Sequence, residues 1–76
     1  MASIRRKGSR IEIAERLRKA RRDQGLTIKE AAGMLRVQHE VWRRLETGVQ
    51  SIPAERVSDI CNITKIEPLD LLGIEN

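Results

Sequence analysis

Residues 27–45 read TIKEAAGMLRVQHEVWRRL. Thr27 stands three residues before Glu30, the spacing at which a hydroxyl and a carboxylate satisfy otherwise unpaired N–H groups at a helix start. Ile28, Ala31, Ala32 and Leu35 follow with a period near 3.6, which predicts a short helix ending near Leu35. After a brief turn through Arg36 and Val37, a second apolar set of Val41, Trp42 and Leu45 predicts another short helix, closed by Gly48. Ala32 is small at mid-helix, where two closely crossing helices leave no room for a larger side chain. Two short helices joined by about three residues, the second polar outward and apolar inward, form the layout that lets a helix enter the major groove of duplex DNA.

The flanking segments extend the same pattern. Ser9 stands three residues before Glu12 and marks the start of a first helix; Ile13, Leu17 and Ala20 recur at helical spacing beside Ala14, and Gly25 is the stop. Ser51, Ile52 and Pro53 signal a further start, since proline is favoured in a first helical turn, and Val57, Ile60 and Cys61 form its inward face. Pro68 opens a last turn or two containing Leu69, Leu71 and Leu72, stopped at Gly73. No segment alternates as a strand does. The expected fold is an all-α, compact five-helix domain over residues 9–76, with a helix-turn-helix formed by helices 2 and 3. Residues 1–8, hydrophilic around Arg5, Arg6 and Lys7 and without periodicity, are expected to be a flexible basic arm.

Composition narrows the function classes. Seventy-six residues support one core. The net charge is +4, but residues 1–22 hold nine basic and two acidic residues, while the remainder is net acidic. A segment this basic attracts polyanions, nucleic acid first and an anionic membrane surface next; charge alone does not separate them. One cysteine, Cys61, and one histidine, His39, give neither an internal disulfide nor a structural zinc site, so no metal and no cofactor is expected. No apolar run approaches the roughly 18–20 residues of a membrane span and no signal-peptide core is present, so the chain reads as cytoplasmic with no membrane partner. A Ser/His/Asp or Cys/His set, a carboxylate pair with a cleft and a Gly-rich phosphate loop are all lacking, which argues against an enzyme. Cys61 on an inward face reads as a small core residue.

Turning 100° per residue from an inward Trp42 and Leu45 leaves Glu40, Arg43, Arg44 and Thr47 outward, with His39 on the margin. Arg44 has the fork to grip guanine O6 and N7, and Glu40 the acceptor for cytosine N4. The competing reading is that Glu40 and Arg44, four apart, form a solvated intrahelical ion pair. Phosphate contacts are expected from Lys29 at the start of helix 2, from Arg43 and Thr47, and from Arg5, Arg6 and Lys7 of the arm. Ile66, Leu69, Leu72 and Ile74 offer more apolar surface than the last helix needs; core closure and a twofold homodimer interface both account for it.

The stretch LRKARRDQGLTIKEAAGMLRV, followed by WRRLETG and IPAERVSDICNITKIEPLDLLG, resembles the Cro/C1-type (lambda-repressor-like, XRE) helix-turn-helix domains of phage repressors and their bacterial relatives. The match includes the entrance Gly25–Leu26–Thr27, the small Ala32, the exit Leu45, Glu46 and Gly48, and the terminal Leu69 to Leu72. The resemblance implies a five-helix fold, operator binding to double-stranded DNA, transcriptional regulation and usually a twofold dimer. It places His39, Glu40 and Arg44 at base-edge positions, with Gln38 at the helix start reaching a base or phosphate. It also pairs Arg21 with Glu46 as a structural ion pair between helices 1 and 3. Four positions depart from the family: Arg36 stands where a glycine with positive φ is usual, Trp42 where Ile or Val is usual, Gln38 where Ser or Thr often caps, and Ile28 where Gln often contacts the DNA backbone. At Ile28 the backbone N–H remains as a phosphate donor. Antitoxins and partner-controlled regulators use the same domain, so a protein-interaction module is the alternative reading.

Overall fold

In a computed structural model, residues 9–73 are described. They form α1 (Arg10–Asp23), α2 (Ile28–Leu35), α3 (His39–Thr47), a 3₁₀ turn (Ala54–Arg56), α4 (Val57–Thr64) and α5 (Pro68–Leu72). The expected arm, residues 1–8, and Ile74 lie outside the described residues.

Both capping boxes form. Glu12 N–H donates to the Ser9 hydroxyl at 3.2 Å while Ser9 N–H donates to the Glu12 carboxylate at 2.9 Å. The reciprocal pair at α2 is Glu30 N–H to Thr27 Oγ1 at 3.0 Å and Thr27 N–H to Glu30 Oε1 at 2.9 Å. Helix ends are equally local in origin. Gly25 is left-handed at φ 69°, and Leu26 and Gly25 N–H groups donate back to the carbonyls of Arg21 and Arg22, so the last turn of α1 keeps its acceptors occupied. Arg36 ends α2 in the same way at φ 61°, with Val37 N–H donating to Ala32 and Arg36 N–H to Gly33. The left-handed turn therefore forms without its usual glycine.

The core is one cluster. Leu17 of α1, Trp42 and Leu45 of α3, Ile60 of α4 and Leu71 of α5 are all fully or almost fully buried, with Ala31, Ala32 and Leu35 closing the α2 side. Ala32, 1% exposed, sits under α3 as its size requires. Cys61 is buried, and burial, followed by the nearby Glu67 charge, pushes its thiol pKa up.

One expectation needs correction, and two gain detail. Pro53 does not open a fourth α-helix; it precedes the 3₁₀ turn, and α4 begins at Val57. Val41 is half-buried at the edge of the inward face of α3, and Val57 is half-buried but packs against the core as expected. Among the described dimer candidates, Ile66 and Leu72 pack half-buried against the core, and Leu69, 58% exposed, is openly apolar.

Candidate nucleic-acid interface

The α3 helix is fixed from its inward side. Arg21 on α1 reaches Glu46 with two parallel bonds, Nε to Oε2 at 2.5 Å and Nη2 to Oε1 at 3.0 Å. Its remaining Nη1 donates to the Leu26 carbonyl at 2.7 Å, so one guanidinium ties together α1, the α1–α2 turn and α3. The Trp42 indole N–H also donates to Glu46 Oε2. Arg21 is 7% and Glu46 8% exposed, so this is a buried pair whose lone pairs and protons are met by specific partners. The indole bond gives the departure at Trp42 a physical reason: an Ile or Val there supplies no donor. Trp42 and Glu46 are four apart on one helix face, a spacing visible in the sequence, but the donor role was not among the expectations.

At the N-terminus of α3, Gln38 occupies the cap position without a side-chain cap bond; its carbonyl accepts from Val41 and Trp42. Gln38 and His39 are both exposed at the leading end of the helix. Arg43, Arg44 and Thr47 are exposed along the outward face, and Glu40 is half-exposed. The Thr47 hydroxyl donates to the Arg44 carbonyl at 3.2 Å.

The ion pair on this face joins Glu40 to Arg43, not to Arg44. Arg43 Nε lies 3.1 and 3.0 Å from the two carboxylate oxygens, and Nη2 donates to Oε1 at 2.6 Å. The Arg43 guanidinium holds the Glu40 carboxyl below its ordinary pKa, and Glu40 in turn raises that of Arg43. Arg44 has no side-chain hydrogen bond or ion pair among the described residues.

α2, which precedes this face in sequence, packs directly on α3. Lys29 is exposed there, whereas the Ile28 side chain packs against the core and leaves only its backbone N–H to act. The capping box consumes the Thr27 and Glu30 N–H groups; those of Ile28 and Lys29, in the first turn, have no acceptor within the helix. Arg5, Arg6 and Lys7 lie outside the described residues. On α1, Arg18 and Arg22 are exposed, and Lys19 pairs with Asp23 at 2.7 Å. A contact with no sequence signal joins Arg10 Nη1 to the Val49 carbonyl at 3.3 Å, tying the start of α1 to the chain leaving α3. Among the described residues no group of His, Cys, Asp and Glu side chains is arranged to hold a metal, and no helix is long and apolar enough to cross a membrane.

Five helices with the second and third forming a tight pair, α3 presenting one polar face, define a lambda-repressor-like helix-turn-helix domain. The chain belongs to the helix-turn-helix domain family, which matches residues 12–72, and is of the Cro/C1 type expected from its sequence. Two crystal structures of the clp gene regulator ClgR from Corynebacterium glutamicum are similar at 28% identity, with TM-scores of 0.76 and 0.77; each match covers 83% of this chain and 82% or 67% of the other. The restriction-modification controller protein C.AhdI from Aeromonas hydrophila shares the fold at a TM-score of 0.74, with 21% identity over 80% of this chain and 92% of its own. No curated protein matches the sequence. A helix-turn-helix domain of this type is a binding module and not an enzyme.

Proposed function

We propose that this chain is a cytoplasmic, sequence-specific DNA-binding transcriptional regulator of the repressor type, which places α3 in the major groove and binds its operator as a twofold dimer. The observation that carries the reading is the division of α3 into two faces. Trp42, Leu45 and Glu46 are buried and bonded, while Arg43, Arg44 and Thr47 stand outward with Gln38 and His39 at the leading end. A helix held this rigidly presents its outward side chains in a fixed register, which base readout requires.

In this reading Gln38, His39, Glu40 and Arg44 meet base edges. Arg44, unpaired, is the strongest of them, with its fork directed at a guanine. Phosphates are held by Lys29, the Ile28 N–H, Arg43 and Thr47, and by Arg5, Arg6 and Lys7 from the arm. Leu69, together with Ile66, Leu72 and Ile74, supplies the dimer contact that sets half-sites roughly 34 Å apart.

The test is selection of bound fragments from random duplex DNA at a fixed salt concentration, followed by Arg44→Ala on the selected sequence. The variant loses about 1–3 kcal/mol there and relaxes preference at one base pair. Equal loss on selected and random duplexes would refute the assignment of Arg44. Sedimentation of the protein with and without the selected duplex tests the dimer; a monomer in both would refute it.

A further inference from the structure

The outward face of α3 carries two guanidinium groups in opposite states. Arg43 is engaged at three distances of 3.1 Å or less by Glu40, and Arg44 makes no side-chain hydrogen bond or ion pair among the described residues. Both members of the Glu40–Arg43 pair remain open to water, at 42% and 58% side-chain exposure, so the bonds between them exchange readily for others. The closed pair has two consequences at once. A carboxylate already accepting from Arg43 has less capacity to accept from a cytosine amino group, and a guanidinium neutralised by a carboxylate attracts a phosphate weakly.

Opening the pair has a different outcome on different duplexes. Where no donor faces Glu40, opening sets a bare carboxylate among phosphates, and the pair stays shut. Where a cytosine N4 amino group faces it, Glu40 passes from Arg43 to the base and Arg43 is released to a neighbouring phosphate. We propose that Glu40 and Arg43 form a specificity latch, in which Glu40 controls whether Arg43 contributes to phosphate binding and releases it only at a cognate cytosine. The inference rests on the DNA-binding reading above and gives Glu40 a second role, as a positioning residue acting through Arg43.

The test uses the full chain as wild type, Glu40→Gln, Arg43→Gln and the double variant, each checked for an unchanged circular dichroism spectrum. The probes are a fluorescently labelled duplex selected by the wild type and a shuffled duplex of the same composition, titrated between about 50 and 200 mM salt. On the shuffled duplex, Glu40→Gln frees Arg43: the salt dependence steepens by about 0.9 in log–log slope, one phosphate's worth, and low-salt affinity rises about three- to tenfold. On the selected duplex the same variant loses about tenfold in its preference over the shuffled one. With Arg43 already replaced, Glu40→Gln leaves the slope unchanged. An unchanged slope for the single variant overturns the latch. So does an equal steepening with and without Arg43, the signature of a repelling charge acting by itself. A wild type with no preference for any duplex would instead sink the sequence-specific reading, a failure seen in the selected-duplex arm and distinct from the shuffled-duplex slopes.

Discussion

Removing Arg21 tests how α3 is held. The Glu46 carboxylate accepts two bonds from Arg21 and one from the Trp42 indole, and both charged residues are less than a tenth exposed. Arg21→Met keeps the aliphatic bulk but leaves a buried carboxylate with the indole alone. Breaking one side of such a pair costs about 3–5 kcal/mol. A domain of this length has a total stability on the order of 4–11 kcal/mol, so the variant gives up about a quarter of it or more. At about 4–8 °C per kcal/mol for a small domain, the melting midpoint falls by about 12 °C or more. Replacing both partners, Arg21→Met with Glu46→Met, removes the stranded charge but also the acceptor of the Trp42 N–H, whose buried loss costs about 1–3 kcal/mol. The double variant is therefore more stable than Arg21→Met alone, yet below wild type. Urea unfolding, followed by circular dichroism and by the fluorescence of Trp42, the chain's single aromatic residue, reads both quantities. A loss below about 1 kcal/mol for Arg21→Met, the value of an exposed pair, would refute the argument. A double variant no more stable than the single would do so as well.

Three further outcomes follow from local geometry. Arg36→Gly removes left-handed strain of about 1–2 kcal/mol and adds back about 0.4–1 kcal/mol of unfolded-chain freedom, so the urea midpoint rises slightly at an unchanged slope; a lower midpoint would contradict the strain. Gly33→Ala, at mid-α2 where an added Cβ meets nothing within 4 Å, stabilises by about 0.5–1 kcal/mol, and a loss in the same unfolding assay would contradict the helix geometry. The Glu30 carboxyl is held below its ordinary pKa of 4.5, first by the Thr27 N–H and then by the Thr27 hydroxyl. A lowered folded-state pKa means that its contribution is present above the unfolded value and is lost as pH falls through the folded one. The melting difference between wild type and Glu30→Gln accordingly holds above the ordinary carboxyl value of 4.5 and shrinks as the pH falls below it; a pH-independent difference would contradict it.

What was legible in the sequence was what is determined within a few residues. The capping boxes at Ser9 and Thr27 and the stop at Gly25 are local chemistry, and they form where the spacing places them. The left-handed turn at Arg36 and the Arg21–Glu46 pair came through the family resemblance: the first because an arginine carries none of the stop signal a glycine gives, the second because it joins side chains 25 residues apart, which periodicity does not encode. Lys65, left-handed at φ 59° after α4, had neither kind of signal. Pro53 misled because proline suits the start of a 3₁₀ turn as well as that of an α-helix. Glu40 has an arginine at both +3 and +4, and only its side-chain conformation selects Arg43. The Trp42 donor escaped because its use depends on a lone pair of Glu46 left over after Arg21 has bound.

The segregation of α3 into a bonded face and an open face separates what the helix says from what keeps it folded. Residues 40, 43, 44 and 47 are not part of the core cluster, and the inward residues 42, 45 and 46 are buried. A library randomised on the first set would keep most of its members folded, whereas one randomised on the second would lose most of them. The same asymmetry leaves a lineage free to drift in the sequences it addresses, one outward substitution at a time, while the platform beneath is inherited whole.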